Sequence, residues 1–146
     1  MDACAELARL AADVAEQAQS PRDFLVRLGR AGAGIRRGPL GILDLARGGR
    51  NTVRGTGFRS EYDDGTLGQV RHFAGTAAGA ARFGPALTLW LSVHVTRDDP
   101  ESPDGRLSAL AVSFARDVRA GVISPGSAPD WITTNVCAVT GRTTIH

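Results

Sequence analysis

The sequence predicts an all-α fold, a compact bundle of about five helices with a long Arg/Gly-rich loop over residues 29–59. Apolar residues recur at three- and four-residue spacing in several segments, and capping residues, glycine or proline bound most of these segments. Convincing β-strands that could pair with each other are lacking. Because 146 residues suffice for one hydrophobic core, we expect residues 1–146 to form a single helical domain.

Two helices are predicted at the N-terminus, where they would form a helical hairpin. The first runs from Asp2 to Gln19 and carries its apolar residues on one face. Ser20 followed by Pro21 is typical of an N-cap with proline in the first helical turn, and we expect Gly29 to end this second helix.

The predicted loop over residues 29–59 is basic and rich in glycine. Nine glycines disfavour a long regular element, so only Leu40–Ala46 is expected to form a short helix. Seven of the 17 basic residues lie in this segment with a single acid, Asp44. The segment therefore has a formal charge of +6, whereas the rest of the chain has −4.

Another helix is expected from Thr66, which would cap it after a turn at residues 63–65, to a stop at residues 84–85. Gly75 and Gly79 lie one turn apart on it, and their missing side chains would let another backbone come close. Its apolar face is made of Leu67, Val70, Phe73, Ala74 and Ala77.

Three segments complete the predicted bundle. Residues 87–96 fit either a strand or a helix, and we interpret them as a helix because Pro85 suits a helix start. A further helix is expected from Arg106 to Ala120, after an acidic turn with two prolines. A last short helix should follow Pro129. It would bury three apolar residues, Trp131, Ile132 and Val136.

The cysteines and the N-terminus bear on the compartment. Cys4 and Cys137 could form a disulfide, but we predict two buried thiols in a reducing cytosol. The N-terminus has acids where an export signal would need basic residues. The longest apolar run, residues 86–95, is interrupted by polar residues and is too short to cross a bilayer. We therefore expect a cytoplasmic protein with no membrane partner.

The residues best suited to catalysis lie around the turn at residues 63–65. A histidine paired with a carboxylate is a typical general base, so we assign His72 and Asp64 to this pair and Arg71 to orienting an anionic group. The alternative is structural, with the acids capping the helix and His72 half-buried in packing. Arg71 and His72 lie about 100° apart on a helix, so both cannot point squarely into one pocket.

A metal site would need carboxylates beside histidine. His94 and His72, with the acids of residues 98–104, could supply such a set, but metal-ligand spacing such as H-E-x-x-H is absent from the sequence. Acids beside prolines are more typical of a solvated turn. We therefore predict no metal site and no cofactor.

The arginines of residues 29–59 form a second candidate site. Guanidinium groups on a glycine-rich backbone bind phosphates, and Phe58 is the one aromatic residue of this segment that could stack on a base. The same charges could bind an acidic protein surface or neutralise acidic turns of this chain. The predicted anion-binding residues are Arg36, Arg37, Arg47, Arg50 and Arg54.

The favoured function is a helical recognition or assembly module, associated with an effector in a bacterial conflict or signalling system and partnered by another protein or a second copy. The run Arg71-His72-Phe73, followed by small residues, is similar to short helical segments of some bacterial toxin domains. One alternative is a small hydrolase or toxin-like enzyme that uses His72, Asp64 and Arg71. The other is nucleic-acid binding through the Arg/Gly-rich segment.

Overall fold

The computed structural model describes residues 2–36, 38–46, 49–84, 88 and 101–138. Two 3-10 turns, Ser60–Tyr62 and Pro125–Ser127, precede the fourth and sixth helices. No β-strand occurs among the described residues, so the all-α prediction is confirmed. The described residues form the α-helices α1 (Ala3–Gln17), α2 (Pro21–Ala33), α3 (Leu40–Ala46), α4 (Gln69–Phe83), α5 (Pro103–Arg119) and α6 (Ala128–Asn135).

Five of these helices pack around one core, and α3 lies at the edge of the bundle against α4. Helix α4 packs between α2 and α5, and α1 packs between α2 and α6. Phe114 of α5 lies where four helices meet. Its ring centroid is 6.5 Å from that of Phe24 on α2, 5.3 Å from that of Phe73 on α4, and 4.9 Å from that of Trp131 on α6. The predicted bundle is thus confirmed.

Side-chain caps start the first two helices where the sequence predicts. Oδ1 of Asp2 accepts a hydrogen bond from the amide of Ala5 at 2.9 Å. Oγ of Ser20 accepts one from the amide of Asp23 at 3.0 Å, and Pro21 opens α2. These oxygens satisfy amides that the first helical turn leaves without an intrahelical partner.

The expected end of α2 at Gly29 is wrong, because the helix continues to Ala33 and ends at Gly34 with φ +66°. Gly29 is a packing residue. A Cβ added at Gly29 would lie under 3.0 Å from the Cβ of Ala78 on α4, and one added at Gly32 would meet Ala74 in the same way. The two helices therefore pack closer than side chains would allow, and this contact outweighs the conformational cost of glycine in a helix.

The start of α4 also differs from the prediction. The helix begins at Gln69 rather than Thr66, and its N-cap, Gly68, makes no side-chain capping bond. Thr66 bonds to Asp64 instead, and Leu67, expected on the apolar face, is 47% exposed. The other four residues predicted for that face, Val70, Phe73, Ala74 and Ala77, are buried.

The remaining helix bounds follow the sequence more closely. Helix α4 ends before Gly84, as predicted. Helix α5 begins at Pro103, three residues early, because Oγ of Ser102 caps it by accepting from the amide of Gly105 at 3.1 Å. Helix α6 buries Ile132, as expected. The predicted helix at residues 87–96 lies outside the described residues except for Thr88.

The 29–59 segment holds less loop than the sequence suggests. Its first five residues belong to α2, and Leu40–Ala46 forms the short helix α3, as predicted. Residues 55–59, here named the strap, run between α1 and the segment after α6. The carbonyl of Thr56 accepts from the amide of Ala3 at 2.8 Å, and the carbonyl of Gly57 accepts from the amide of Ala138 at 2.7 Å.

Cys4 and Cys137 form a disulfide, with their Cα atoms 5.5 Å apart. The prediction of two buried thiols is therefore wrong. The cysteines are 133 positions apart in the chain. They meet because the strap hydrogen-bonds to the start of α1 on one flank and to the C-terminal segment on the other. The spacing of the two cysteines alone does not reveal this strap.

Candidate functional site

The turn before α4 is held by a buried amide. Oδ1 of Asp64 accepts hydrogen bonds from the amide and the hydroxyl of Thr66, at 2.8 Å and 2.6 Å. Nε2 of Gln69 donates to the same oxygen at 2.8 Å and to Oδ1 of Asp63 at 3.2 Å. Because Gln69 is only 2% exposed, this amide fixes two carboxylates from inside the protein.

The carboxyl groups of Asp64 and Asp104 share a hydrogen bond between the turn and the start of α5. Burial raises the pKa of Asp64, but hydrogen bonds from Thr66 and Asp104 outweigh burial and hold that pKa below its usual value. Two carboxyl groups, those of Asp64 and Asp104, are thus side by side where α5 begins.

His72 reaches from α4 to the same part of α5. Its Nε2 lies 3.0 Å from the carbonyl oxygen of Asp104 and 2.6 Å from Oγ of Ser108. A histidine beside a hydroxyl is the arrangement of an activated nucleophile, but Ser108 is only 1% exposed. The hydroxyl is out of reach of a substrate while α4 and α5 stay packed. The contact therefore links the two helices.

Arg71 points to a different neighbourhood from His72. A Cβ added at Gly68 would lie 3.1 Å from Nη2 of Arg71 and 3.4 Å from Oδ1 of Asn51. The guanidinium therefore lies over the N-cap of α4, on the side of Asn51. This divergence agrees with the angular separation of adjacent residues on a helix.

Asp64, Arg71 and His72, the predicted catalytic residues, are thus brought together only in part. Asp64 and His72 both contact Asp104, whereas the contacts above place Arg71 beside Gly68. His94 lies outside the described residues. Gln69 and Ser108 are not among the site residues predicted from the sequence. The signal that could have revealed them is a polar residue at a position that helical spacing places on a buried face.

In the predicted anion-binding set, Arg36 already has a partner. Its Nε and Nη2 donate to the carboxylate of Asp44, each at 2.9 Å, and its amide donates at 2.9 Å. The guanidinium and the amide of Arg36 hold the pKa of Asp44 well below its usual range, although burial opposes them. A bidentate pair of this kind compensates much of the arginine charge within the chain.

The other members of the set are distributed unevenly. Arg37 and Arg47 lie outside the described residues, whereas Arg50 and Arg54 are exposed. Arg50 lies close to Gly34, where an added Cβ would be 2.9 Å from its Nε. A cleft of about 430 Å³ is lined by Gly34, Arg36, Asp44, Gly49 and Arg50. Among the described residues that line this cleft, Arg36 is paired and Arg50 contributes the uncompensated positive charge.

Arg82 of α4, which is not among the predicted anion-binding residues, fastens the segment that leads into α3. Its Nη1 donates to the carbonyl of Arg36 at 2.8 Å, and its Nη2 donates to the carbonyl of Gly38 at 2.6 Å. We name this pair of bonds the arginine clasp. Gly41 makes room for it, since an added Cβ would lie under 3.0 Å from Nη1 of Arg82 and from the Arg36 carbonyl. Polar contacts therefore fix α3 in place.

Helix α3 turns apolar side chains outward. Leu40 is 52% exposed and Leu43 is 41% exposed. Residues three apart lie on one face of a helix, so the two leucines form a single patch, here named the α3 surface. The other exposed large apolar residues of the described chain, Leu67 and Val122, lie on separate turns.

A groove adjoins the α3 surface at the clasp. It has a volume of about 320 Å³ and is lined by Ser20, Arg22, Asp23, Val26, Gly38 and Arg82. Asp23 is engaged by Arg27, whose Nε donates to its Oδ2 at 2.7 Å. Within the described part of the chain, no carboxylate forms an ion pair with Arg22 or Arg82. We name this feature the α3 groove, and it is positively charged.

A search of the described residues for metal-binding clusters and membrane-spanning helices, and for similar known proteins, identifies none that would assign a function to these residues. Among the described residues, no three His, Cys, Asp or Glu side chains are arranged to hold a metal ion. The described helices include none with the length and apolar character to cross a membrane. Comparison with known proteins gives no match to any family model, curated protein or solved structure.

Proposed function

We propose that the protein is a helical recognition module that binds another protein through the α3 surface. The observation that carries the proposal is the pair of exposed leucines, Leu40 and Leu43, on one face of a helix fastened by the arginine clasp. Full burial of a leucine side chain contributes about 1.5–3 kcal/mol. A single exposed leucine is ordinary, but two leucines on the same face of a fixed helix form a preorganised apolar contact for a partner.

A peptide-display selection tests this function without a known partner. Peptides selected on the wild-type protein should lose binding when Leu40→Ser and Leu43→Ser are combined. They should keep binding to a matched double variant, Leu67→Ser with Val122→Ser, which changes exposed apolar residues elsewhere. Equal binding to both variants, with unchanged thermal unfolding, would place recognition outside α3 and refute the proposal.

The disulfide favours an oxidising compartment, rather than the predicted cytoplasm, as the place where the protein functions. Disulfides persist in secreted and periplasmic proteins and are rare in a reducing cytosol. Cys4 and Cys137 are both buried in the described structure, so the bond belongs to the core. Alkylation of free thiols during lysis of the native cells distinguishes the two compartments. We expect two blocked cysteines per chain, and two alkylated thiols would support the cytoplasm.

Acid–base catalysis is the second candidate, and the hydrogen bond between Asp64 and Asp104 favours it. Where two carboxyl groups lie side by side, one can accept a proton from water while the other donates a proton to a leaving group. His72 bonds to the Asp104 backbone and would position this pair.

A panel of chromogenic esters, phosphodiesters and glycosides tests the catalytic candidate. Turnover should disappear in both Asp64→Asn and Asp104→Asn. It should survive in Asp130→Asn, which changes an exposed acid on α6. Turnover that persists in Asp64→Asn would exclude the pair as the catalytic site. Association with a bacterial conflict or signalling system stays a prediction from the sequence.

A further inference from the structure

We propose that the partner of the α3 surface is an acidic protein segment in which carboxylates flank apolar side chains, with the carboxylates in the α3 groove. The inference rests on the proposed function, because it names what the α3 surface binds. It is carried by the charge of the groove and its position beside the two leucines.

The apolar part of the contact is contributed by α3. Leu40 and Leu43 face outward, and the groove begins two residues before Leu40, at Gly38. A segment that covers Leu40 and continues past Gly38 therefore enters the groove that Arg82 lines.

The charged part of the contact is contributed by two arginines. Arg22 is exposed in the first turn of α2, and both Arg22 and Arg82 line the groove. The clasp occupies one N–H on each terminal nitrogen of Arg82 and leaves its positive charge in place, since the clasped groups are neutral carbonyls. The acid in the groove, Asp23, is bonded to Arg27. The groove therefore complements carboxylates.

Nucleic acid fits this surface less well. Recognition of single strands relies on exposed aromatic side chains for stacking. Phe58, the aromatic residue that the sequence places in the basic segment, is buried with 5% exposure. Arg36 is paired with Asp44, and phosphates would leave the two leucines in water. An acidic, apolar protein segment uses both the leucines and the arginines.

The test uses two fluorescein-labelled peptides and the oxidised full chain. One extended peptide of about ten residues, about 33 Å long, carries leucines in its middle and glutamates on both sides, and the matched peptide carries glutamine in place of every glutamate. Anisotropy at low and high salt should show the glutamate peptide binding at least about tenfold tighter at low salt, with an advantage that shrinks as salt screens the charges.

Variants locate the binding. Arg22→Gln, a surface change that leaves the clasp intact, should weaken the glutamate peptide about threefold and leave the glutamine peptide unchanged. Arg116→Gln, an exposed arginine on α5, is the matched control and should change neither. The combined variant Leu40→Ser with Leu43→Ser should abolish binding of both peptides.

The possible failures are distinguishable. If both peptides bind equally and the leucine variant abolishes both, the acidic partner is refuted and the proposed function stands. If neither peptide binds, or if the leucine variant has no effect, both proposals are refuted. If sedimentation without peptide shows a dimer that the leucine variant dissociates, the occupant is a second copy of this chain and the acidic partner is refuted.

Discussion

The contact between α2 and α4 and the attachment of α3 both depend on the missing side chain of glycine, but apolar groups fill the space in the first and polar groups in the second. Gly29 and Gly32 bring two helices close enough for methyl groups of α4 to fill the space. Gly41 makes room for a guanidinium that bonds to two backbone carbonyls. The first contact excludes water and belongs to the core, whereas the second holds a surface helix by hydrogen bonds. We therefore expect α3 to detach without unfolding the bundle.

The largest expected effect concerns the covalent link that closes the bundle. Replacing Cys4 and Cys137 together by alanine removes a cross-link between residues 133 positions apart. The chain-entropy model gives a loss of about 5 kcal/mol for a loop of this length, and measured losses are commonly about 2–5 kcal/mol. Urea unfolding should show this loss, and the wild-type protein in reductant should match it. A loss below about 1 kcal/mol would mean that the strap alone joins the termini.

The next largest effect concerns the close contact between α2 and α4. Gly29→Ala should lower the free energy of unfolding by about 2 kcal/mol, because its methyl group collides with that of Ala78. Ala78→Gly alone should cost about 1 kcal/mol, the usual cost of glycine in a helix. The double variant should recover most of the loss from Gly29→Ala, since it moves the missing methyl across the interface. A Gly29→Ala protein more stable than wild type would show that the contact is loose.

Gly41→Ala tests the attachment of α3 by the arginine clasp. The added methyl would displace the clasp, so amides of α3 should exchange hydrogen faster while global stability falls by about 1 kcal/mol or less. Gly126→Ala is the matched control, because a Cβ there meets no atom within 4 Å. Exchange that speeds up equally throughout the bundle would contradict the independence of α3.

The smallest expected effect is a pH dependence confined to α3. The pKa of Asp44 is lowered in the folded state, so its contribution is present above the unfolded value of about 3.9 and is lost as pH falls through the lower folded value. NMR signals of α3 should therefore shift at acidic pH in the wild type. In Asp44→Asn this transition should be absent. An identical titration in both proteins would assign it to another group.

The sequence predicts the helices well where a local signal exists. Ser20 and Pro21 mark the start of α2, and Gly84 marks the end of α4, because caps and stops depend on neighbouring residues. Gly29 misleads, since its role depends on Ala78, which is far away in the sequence. For the same reason the sequence favours two thiols over the alternative of a disulfide, because the strap that aligns the cysteines is a tertiary feature.

The candidate sites, too, are predictable from the sequence where neighbouring residues determine them and not where tertiary contacts do. Helical spacing explains why Arg71 and His72 diverge, and charge counting finds the basic segment. Sequence alone did not reveal that Asp104 would meet Asp64, or that Arg82 would fasten α3 from another helix. Both contacts join segments that are distant in the chain. The exposed leucines were likewise hidden, because an apolar residue in a short helix is expected to be buried.

The most direct test of the central claim is hydrogen–deuterium exchange of the oxidised protein with and without a display-selected peptide. Binding at the α3 surface predicts slower exchange in residues 38–46, with little change in residues 63–72 and 101–108. Protection in those two segments with none in α3 would contradict recognition through α3 and would favour the Asp64–Asp104 site.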